Sequence, residues 1–355
     1  MGARTLMKIA IVGGGFYGTF LAHHLGPKHE VTLFEQSKEL MNRSAIFNQS
    51  RLHAGFHYPR CLRTIAQTNE GYPRFVAEFG AFLRDIPRNV YAIRRDGKSR
   101  FAELKKNLAP YPTRFRETTA PAALKNPEEY EAFLEVDEKL ILLDRLRAHL
   151  VAGLKATVVT GAEAIEIHST TGAVKFRDGT VRKFDRVINA TFTNPNLGLP
   201  IESGFHFAYE LAAMVCLDSA SGGESAITII DGEYVSLYPN YEGQDTLSSV
   251  RFTPFVRPTN RMELEDAWRR RDQIAKDEKV QEKILEDGRR YLELDSVKNA
   301  HLWIAPKVKL RENFQSGAPS EVRSSGKVIS VFCGKLDSVY SVLDQVRGLL
   351  GEPKA

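Results

Sequence analysis

The chain has 355 residues, enough for two or three domains and for a core that needs no disulfide or metal staple. Its 43% hydrophobic and 26% charged residues, with Gly 26 and Pro 16, exclude collagenous and low-complexity classes. The net charge of +5, from 49 basic and 44 acidic residues, is spread along the chain, so it admits an anionic ligand without calling for nucleic acid.

In chain order, Lys8 to Val12 is a short apolar, β-branched run that reads as a buried strand. Its core, Ile9 to Val12, is too short for a signal-peptide core or a membrane span. A glycine-rich turn follows, then a helix over Tyr17 to Leu25 and a second strand over Val31 to Phe34 that closes at Glu35. Together they make a βαβ unit of about thirty residues. Residues 38 to 60 show no clear period, and so long an irregular stretch reads as functional or disordered. A helix is expected over Gly71 to Phe82 and a strand over Val90 to Arg94. Leucines at 143, 146, 150 and 154 space as a helix, with strands at 156–160 and 164–168. Asp178-Gly179 marks a hairpin between 173–176 and 181–184. Arg186 to Ala190 is another buried strand. Residues 205–255 read as mostly antiparallel sheet, and 261–294 as charged helices broken near Gly288. A last strand at Val328 to Phe332 precedes a helix over Ser338 to Leu350. Three dispersed cysteines, Cys61, Cys216 and Cys333, give no disulfide framework and no zinc spacing, which fits a reducing, cytoplasmic setting with no metal site.

Gly13-x-Gly15-x-x-Gly18 is weak evidence alone, but here a strand precedes it, a helix follows, and an acidic residue ends the next strand. The first glycine makes the tight turn, the second admits a pyrophosphate, and the third lets helix pack on strand. The helix N-terminus at Phe16 and Tyr17 offers free N–H groups to phosphate, and Glu35, with Gln36 beside it, offers an acceptor for ribose hydroxyls. NAD and FAD share this fingerprint; its position near the N-terminus and the pieces that follow favour FAD.

Those pieces resemble the FAD-dependent oxidoreductases of the D-amino acid oxidase superfamily, which include glycine and sarcosine oxidases and 2-hydroxyglutarate dehydrogenase-like enzymes. The nucleotide motif with Glu35 is one. Asn48 to Pro59 (NQSRLHAGFHYP) is similar to the Asn-Ser-Gly-Val-Ile-His-Ala-Gly-Ile-Tyr-Tyr stretch of the hydroxyglutarate enzymes. Val136-Asp137 with its helix, Arg186 to Thr191 (RVINAT) and Val328 to Ser338 complete the set. Two departures stand out: Phe192 occupies the usual glycine position, and Gly334-Lys335-Leu336-Asp337 replaces a glycine-rich flavin loop.

The resemblance implies an α/β fold: a Rossmann-like, GR2-type FAD-binding domain of residues 1–85, 136–200 and 325–355. A substrate domain of residues 86–135 and 201–324, an antiparallel β-sheet plus helices, is inserted into it. It also implies that Arg43, Ser44 and Ala45 lie near the pyrophosphate or flavin edge, and that Asn48, Arg51, Leu52 and His53 run beside the flavin ring. Val158, Val159 or Thr160 would meet the adenine, and Asn189, Ala190 and Thr191 the ribityl chain or pyrophosphate. Gly334, Lys335, Leu336, Asp337 and Ser338 would reach the pyrimidine end.

The flavin carries the redox step, so the protein must place a substrate C–H and move a proton. His53 and His57 are candidates for the base or for a covalent flavin tether. Arg51, Arg60 and Arg251 are candidates for a substrate anion, because guanidinium grips a carboxylate with two prongs. Lys335 is a candidate cation at the flavin pyrimidine end, and Tyr234 and Tyr238 lie on a substrate-domain strand. Each has an ordinary structural reading beside the functional one. The expectation is an FAD enzyme oxidising a small polar C–OH or C–NH substrate, such as a hydroxy acid or amino acid, by hydride transfer. A flavin-dependent monooxygenase, a sugar-nucleotide mutase and a non-catalytic nucleotide-binding subunit are the alternatives. The expected partner is a small, anionic substrate; no membrane span is read, and oligomeric state and electron acceptor stay open.

Overall fold

The apolar run KIAIV forms strand β1 (Lys8–Val12), buried from Ile9 onward. Helix α1 (Phe16–Leu25) follows, and strand β2 (Glu30–Glu35) returns alongside β1 in parallel. A parallel sheet needs both faces covered, which is why its strands are continuously apolar rather than alternating. The computed structural model describes residues 6–352 apart from 113, 219–223, 295–298, 312–316 and 333, so Cys333 lies outside the described residues.

The chain divides into two units. The first comprises 1–46, 144–207 and 319–355. Its sheet runs Glu321–Ser325, Val328–Phe332, Arg186–Asn189, β1, β2, Thr157–Thr160, parallel except for the first strand. A three-stranded meander, Ala164–His168, Ala173–Phe176 and Val181–Lys183, turns at Asp178-Gly179, where Gly179 has φ +88° and Asp178 accepts hydrogen bonds from Thr180. The meander packs Ala164, Ile167, Val174 and Phe176 onto the sheet residues Ala10, Val12, Phe34 and Val187. The last helix, Val339–Leu349, sets Tyr340 edge-on against Phe20 of α1.

The second unit comprises 47–143 and 208–318. Residues 47–85, grouped from sequence with the nucleotide half, therefore lie here. Its nine-stranded sheet is largely antiparallel, but Ser225–Ile230 runs parallel to Arg88–Arg94. That pair joins two pieces of chain separated by more than a hundred residues, a non-local pairing that local pattern does not announce. A small sheet of Arg51–Leu52, Lys139–Ile141 and Leu83–Arg84 sits in the same unit.

Two expected helices differ in detail. The helix expected at 71–82 is Leu62–Phe79 followed by a short 3₁₀ turn, Gly80–Phe82. Its early core-facing residues include polar Thr68 and Asn69, the latter donating to the Ala54 carbonyl at 3.2 Å, so the apolar period is interrupted between Ile65 and Tyr72. The 261–294 region is three helices, Arg261–Arg269, Arg271–Asp277 and Val280–Arg289. Gly288 does not break them. It lies inside the third, where a Cβ would come within 2.6 Å of Leu247.

Candidate active site

The first unit builds its site from backbone. Gly13 has φ +105°, and a Cβ there would stand 2.6 Å from the Ala190 carbonyl oxygen. A Cβ on Gly18 would fall 1.8 Å from the Gly13 carbonyl oxygen, so only glycine lets α1 start this close to β1. Gly15 is the α1 N-cap; it supplies no side-chain cap, the first turn carries no acidic residue, and nothing lies within 4 Å of its would-be Cβ. The result is an uncapped positive helix end facing open space, which suits a pyrophosphate. Glu35 is buried; its carboxylate accepts from the Gly14 N–H at 2.7 Å and the Ser37 N–H at 2.7 Å, so it clamps the glycine turn from the end of β2. These features fit the adenine dinucleotide half of FAD.

The C-terminal loop is tied to the same helix. Phe16 is buried, and the Tyr17 hydroxyl lies 2.7 Å from Ser320 Oγ and 3.1 Å from Ser338 Oγ. Ser320 accepts from the Gly334 N–H and Ser338 from the Lys335 N–H, and Asp337 is fully buried. Ser320 thus holds the loop at Gly334, while the Tyr17 and Ser338 side chains hold it at Lys335. Asn189 spends its side chain on structure: Nδ2 donates to the carbonyls of Asn194, Pro195 and Leu197, and Oδ1 accepts from both Thr191 groups. Phe192 keeps the glycine-like backbone of the position it fills, with φ +59°. Val159 pairs with Phe34 on the edge strand, Gln36 is exposed, and Arg43 and Ser44 are half-buried in the loop after β2.

The second unit builds its site from side chains. Strand register puts Tyr91, Thr228 and Ser236 in one rung across three neighbouring strands, with Tyr238 two residues beyond Ser236 on the same face. Arg51 lies across that rung, only 3% exposed. It donates to Tyr91 Oη at 2.8 Å, Thr228 Oγ1 at 2.8 Å and Ser236 Oγ at 2.9 Å, with its guanidinium 3.9 Å from the Tyr238 ring centre. The Glu138 carboxylate closes the network: Oε2 accepts from Tyr91 Oη at 2.7 Å and stands 3.9 Å from Arg51. Burial, above all, pushes the Tyr91 and Tyr238 phenols up, so both stay protonated. The Arg51 guanidinium is held above its ordinary value although burial, the largest influence, opposes its charge; Tyr91, Tyr238 and Glu138 outweigh it.

Antiparallel pairing of Leu52 with Lys139 sets the next residues, His53 and Glu138, opposite one another. Glu138 Oε1 stands 3.6 Å from His53 Nδ1 and accepts from the Ala54 N–H at 2.8 Å. The His57 ring centre lies 5.3 Å from that of His53. Leu52 is fully buried beneath, and Asn48 caps the start of the strand by accepting from the Ser50 N–H. Arg51, His53 and His57 are thus gathered in one place, whereas Arg251 pairs elsewhere with Glu233 at 3.6 Å and Asp287 at 4.0 Å. Arg60 pairs with Asp231, and the Tyr234 hydroxyl donates to Asp96, which after burial helps push that phenol up to about 12.

Sequence reading missed Glu138, Tyr91, Thr228 and Ser236. Glu138 follows the Val136-Asp137 pair already singled out, but nothing local marks it as buried. It also missed Lys307 on strand His301–Leu310. That ammonium exposes surface, yet desolvation first and Lys309 second lower it to about 8 against the pull of Glu210. Among the described residues no cluster could hold a metal ion, and no helix is long and apolar enough to cross a membrane.

Comparison with known proteins supports what this geometry outlines. The model of the FAD dependent oxidoreductase family matches residues 8–305, and the chain belongs to that family. It is an FAD-dependent oxidoreductase, and FAD is its cofactor. It is 28% identical over 358 aligned positions to the FAD-dependent monooxygenase FPY4 of Fusarium mangiferae, covering 97% of this chain and 91% of that protein. In fold it is similar to the L-alpha-glycerophosphate oxidase of Mycoplasma pneumoniae, at a TM-score of 0.75 and 15% identity, covering 99% and 96% of the two chains. It is likewise similar to the glycine oxidase of Geobacillus kaustophilus, at a TM-score of 0.69 and 12% identity, covering 97% and 93%.

Proposed function

We propose that this enzyme oxidises a small polar C–OH or C–NH substrate, a hydroxy acid or amino acid, with His53 as the base that takes the hydroxyl or ammonium proton. The observation that carries the reading is the placement of His53 against Glu138 in a segment that resembles the hydroxyglutarate enzymes. The unit of residues 1–46, 144–207 and 319–355 carries the residues that would hold FAD, chiefly Gly13, Gly15, Gly18 and the α1 N-terminus, and the other unit carries His53 and Glu138. FAD, when bound, supplies the acceptor for the hydride that leaves the substrate carbon. His53, with Nδ1 toward Glu138, would take the proton on Nε2, so that a carbonyl or imine would form as hydride and proton depart to different acceptors. Oxygen or another acceptor then restores the oxidised cofactor.

The test is an anaerobic screen of 2-hydroxy acids and amino acids for bleaching of the flavin absorbance. Bleaching with release of a stoichiometric 2-oxo acid is the expected result; a panel that leaves the flavin oxidised would contradict it. A monooxygenase reading is supported by the name of the Fusarium relative. It predicts incorporation of one atom of ¹⁸O₂ into product, where the oxidase reading predicts none.

A further inference from the structure

We infer that Glu138 is the positioning residue for His53: it fixes which imidazole nitrogen carries the proton, raises the basicity of the other, and is itself held in place by Arg51. This deepens the proposed function and rests on its reading of His53 as the base.

The argument begins with register. The two-residue strand Arg51–Leu52 pairs antiparallel with Lys139–Ile141, and one step further that pairing sets residue 53 against residue 138. The Glu138 carboxylate is anchored on both oxygens. Oε1 accepts the Ala54 N–H at 2.8 Å, which ties it to the very loop that carries His53. Oε2 accepts the Tyr91 hydroxyl at 2.7 Å. Only 2% of Glu138 is exposed, so an anion here needs a cation, and Arg51 provides it at 3.9 Å. Arg51 cannot wander, because Thr228, Ser236 and Tyr91 occupy its N–H groups and Tyr238 lies under its plane.

From this anchored position Oε1 stands 3.6 Å from His53 Nδ1. A carboxylate there favours the tautomer with Nδ1 protonated, leaves Nε2 as the acceptor, and stabilises the imidazolium that forms when Nε2 takes a proton. Among the described residues, the titratable and charged groups packed around His53 include Glu138, its near neighbour His57, and behind Glu138 the Arg51, Tyr91 and Tyr238 side chains. Among these, Glu138 is the anion, the phenols stay neutral, and the Arg51 guanidinium opposes a further positive charge. Removing the Glu138 charge therefore lowers the His53 pKa.

The experiment is nitrogen-detected NMR of the FAD-loaded protein labelled with ¹⁵N-histidine, titrated with pH, the His53 resonances being identified from a His53→Gln variant. The wild-type protein is expected to show His53 as the Nδ1–H tautomer. Glu138→Gln keeps an oxygen for the Ala54 N–H but removes the charge, and it should lower the His53 pKa by about one unit or more and mix the tautomers. Glu138→Asp keeps the charge and should hold the pKa nearer the wild-type value, and it serves alone if Glu138→Gln does not fold. An unchanged His53 pKa and tautomer in Glu138→Gln, or a Glu138→Asp spectrum no closer to wild type than that of Glu138→Gln, would overturn the inference. If instead His53→Gln bleaches as fast as wild type with a substrate found in the screen, the reading of His53 as base fails, whatever the NMR shows.

Discussion

The two units make their sites in different ways. In the first, the work falls to backbone: glycines at 13 and 18 where no Cβ fits, a helix end without a cap, and one carboxylate clamping the turn. In the second, a buried rung of side chains drawn from five separate stretches of chain supports one histidine. A backbone site is unforgiving at a few glycines and indifferent elsewhere. A side-chain network spreads its cost over several partners, each of which can be altered and compensated.

The largest effect is expected at Gly18. A methyl group there would meet the Gly13 carbonyl at 1.8 Å, so Gly18→Ala must shift α1 from β1 at a cost of ~3 kcal/mol or more. Purified protein without bound flavin and with a clearly lowered Tm is the outcome. A yellow, fully stable variant would show that the close approach is unnecessary. Next comes Arg51→Met, which strands the Glu138 anion in the interior and should cost ~3–5 kcal/mol. Adding Glu138→Gln to that variant should recover part of the loss, because the two charges are coupled; strictly additive melting temperatures would argue that they are not.

A smaller effect is expected at Glu35. Glu35→Ala removes the acceptor for two backbone N–H groups and should weaken FAD binding by about tenfold to a hundredfold, readable by flavin fluorescence titration. An unaltered affinity would remove Glu35 from the site. The smallest is at Lys307. Its folded value, about 8, lies below the ordinary lysine value, so the fold disfavours its charge. Below pH 8 that cost is fully present, and it fades as pH rises toward the unfolded value of about 10.4. Lys307→Met should thus raise Tm slightly at pH 7 and not at pH 10.5, and should weaken saturation by an anionic substrate. A gain that does not depend on pH would assign the effect to packing alone.

The same contrast governs what could be read before the structure. Strand, glycine turn, helix and acidic stop lie within thirty residues, so β1, α1 and Glu35 were legible from spacing alone, and the hairpin at Asp178-Gly179 equally so. The helix at 62–79 was half hidden because Thr68 and Asn69 are buried as hydrogen-bonding groups. His53 and Arg51 were visible as residue types in an irregular stretch. Their supports were not, since Tyr91, Glu138, Thr228 and Ser236 come together only through a parallel junction between residues 88–94 and 225–230. Arg251 shows the converse: a residue type suited to an anion that the fold pairs with Glu233 and Asp287 instead.

The central claim is that His53 removes the proton while FAD accepts the hydride. The direct test is anaerobic rapid mixing of wild type and His53→Ala with a substrate that bleaches the wild-type flavin, followed across pH 5 to 9. The account predicts that His53→Ala keeps its flavin spectrum and binds substrate but is reduced about 10²- to 10⁴-fold more slowly, without the acid limb of the wild-type profile. Reduction at the wild-type rate with the same pH dependence would contradict it.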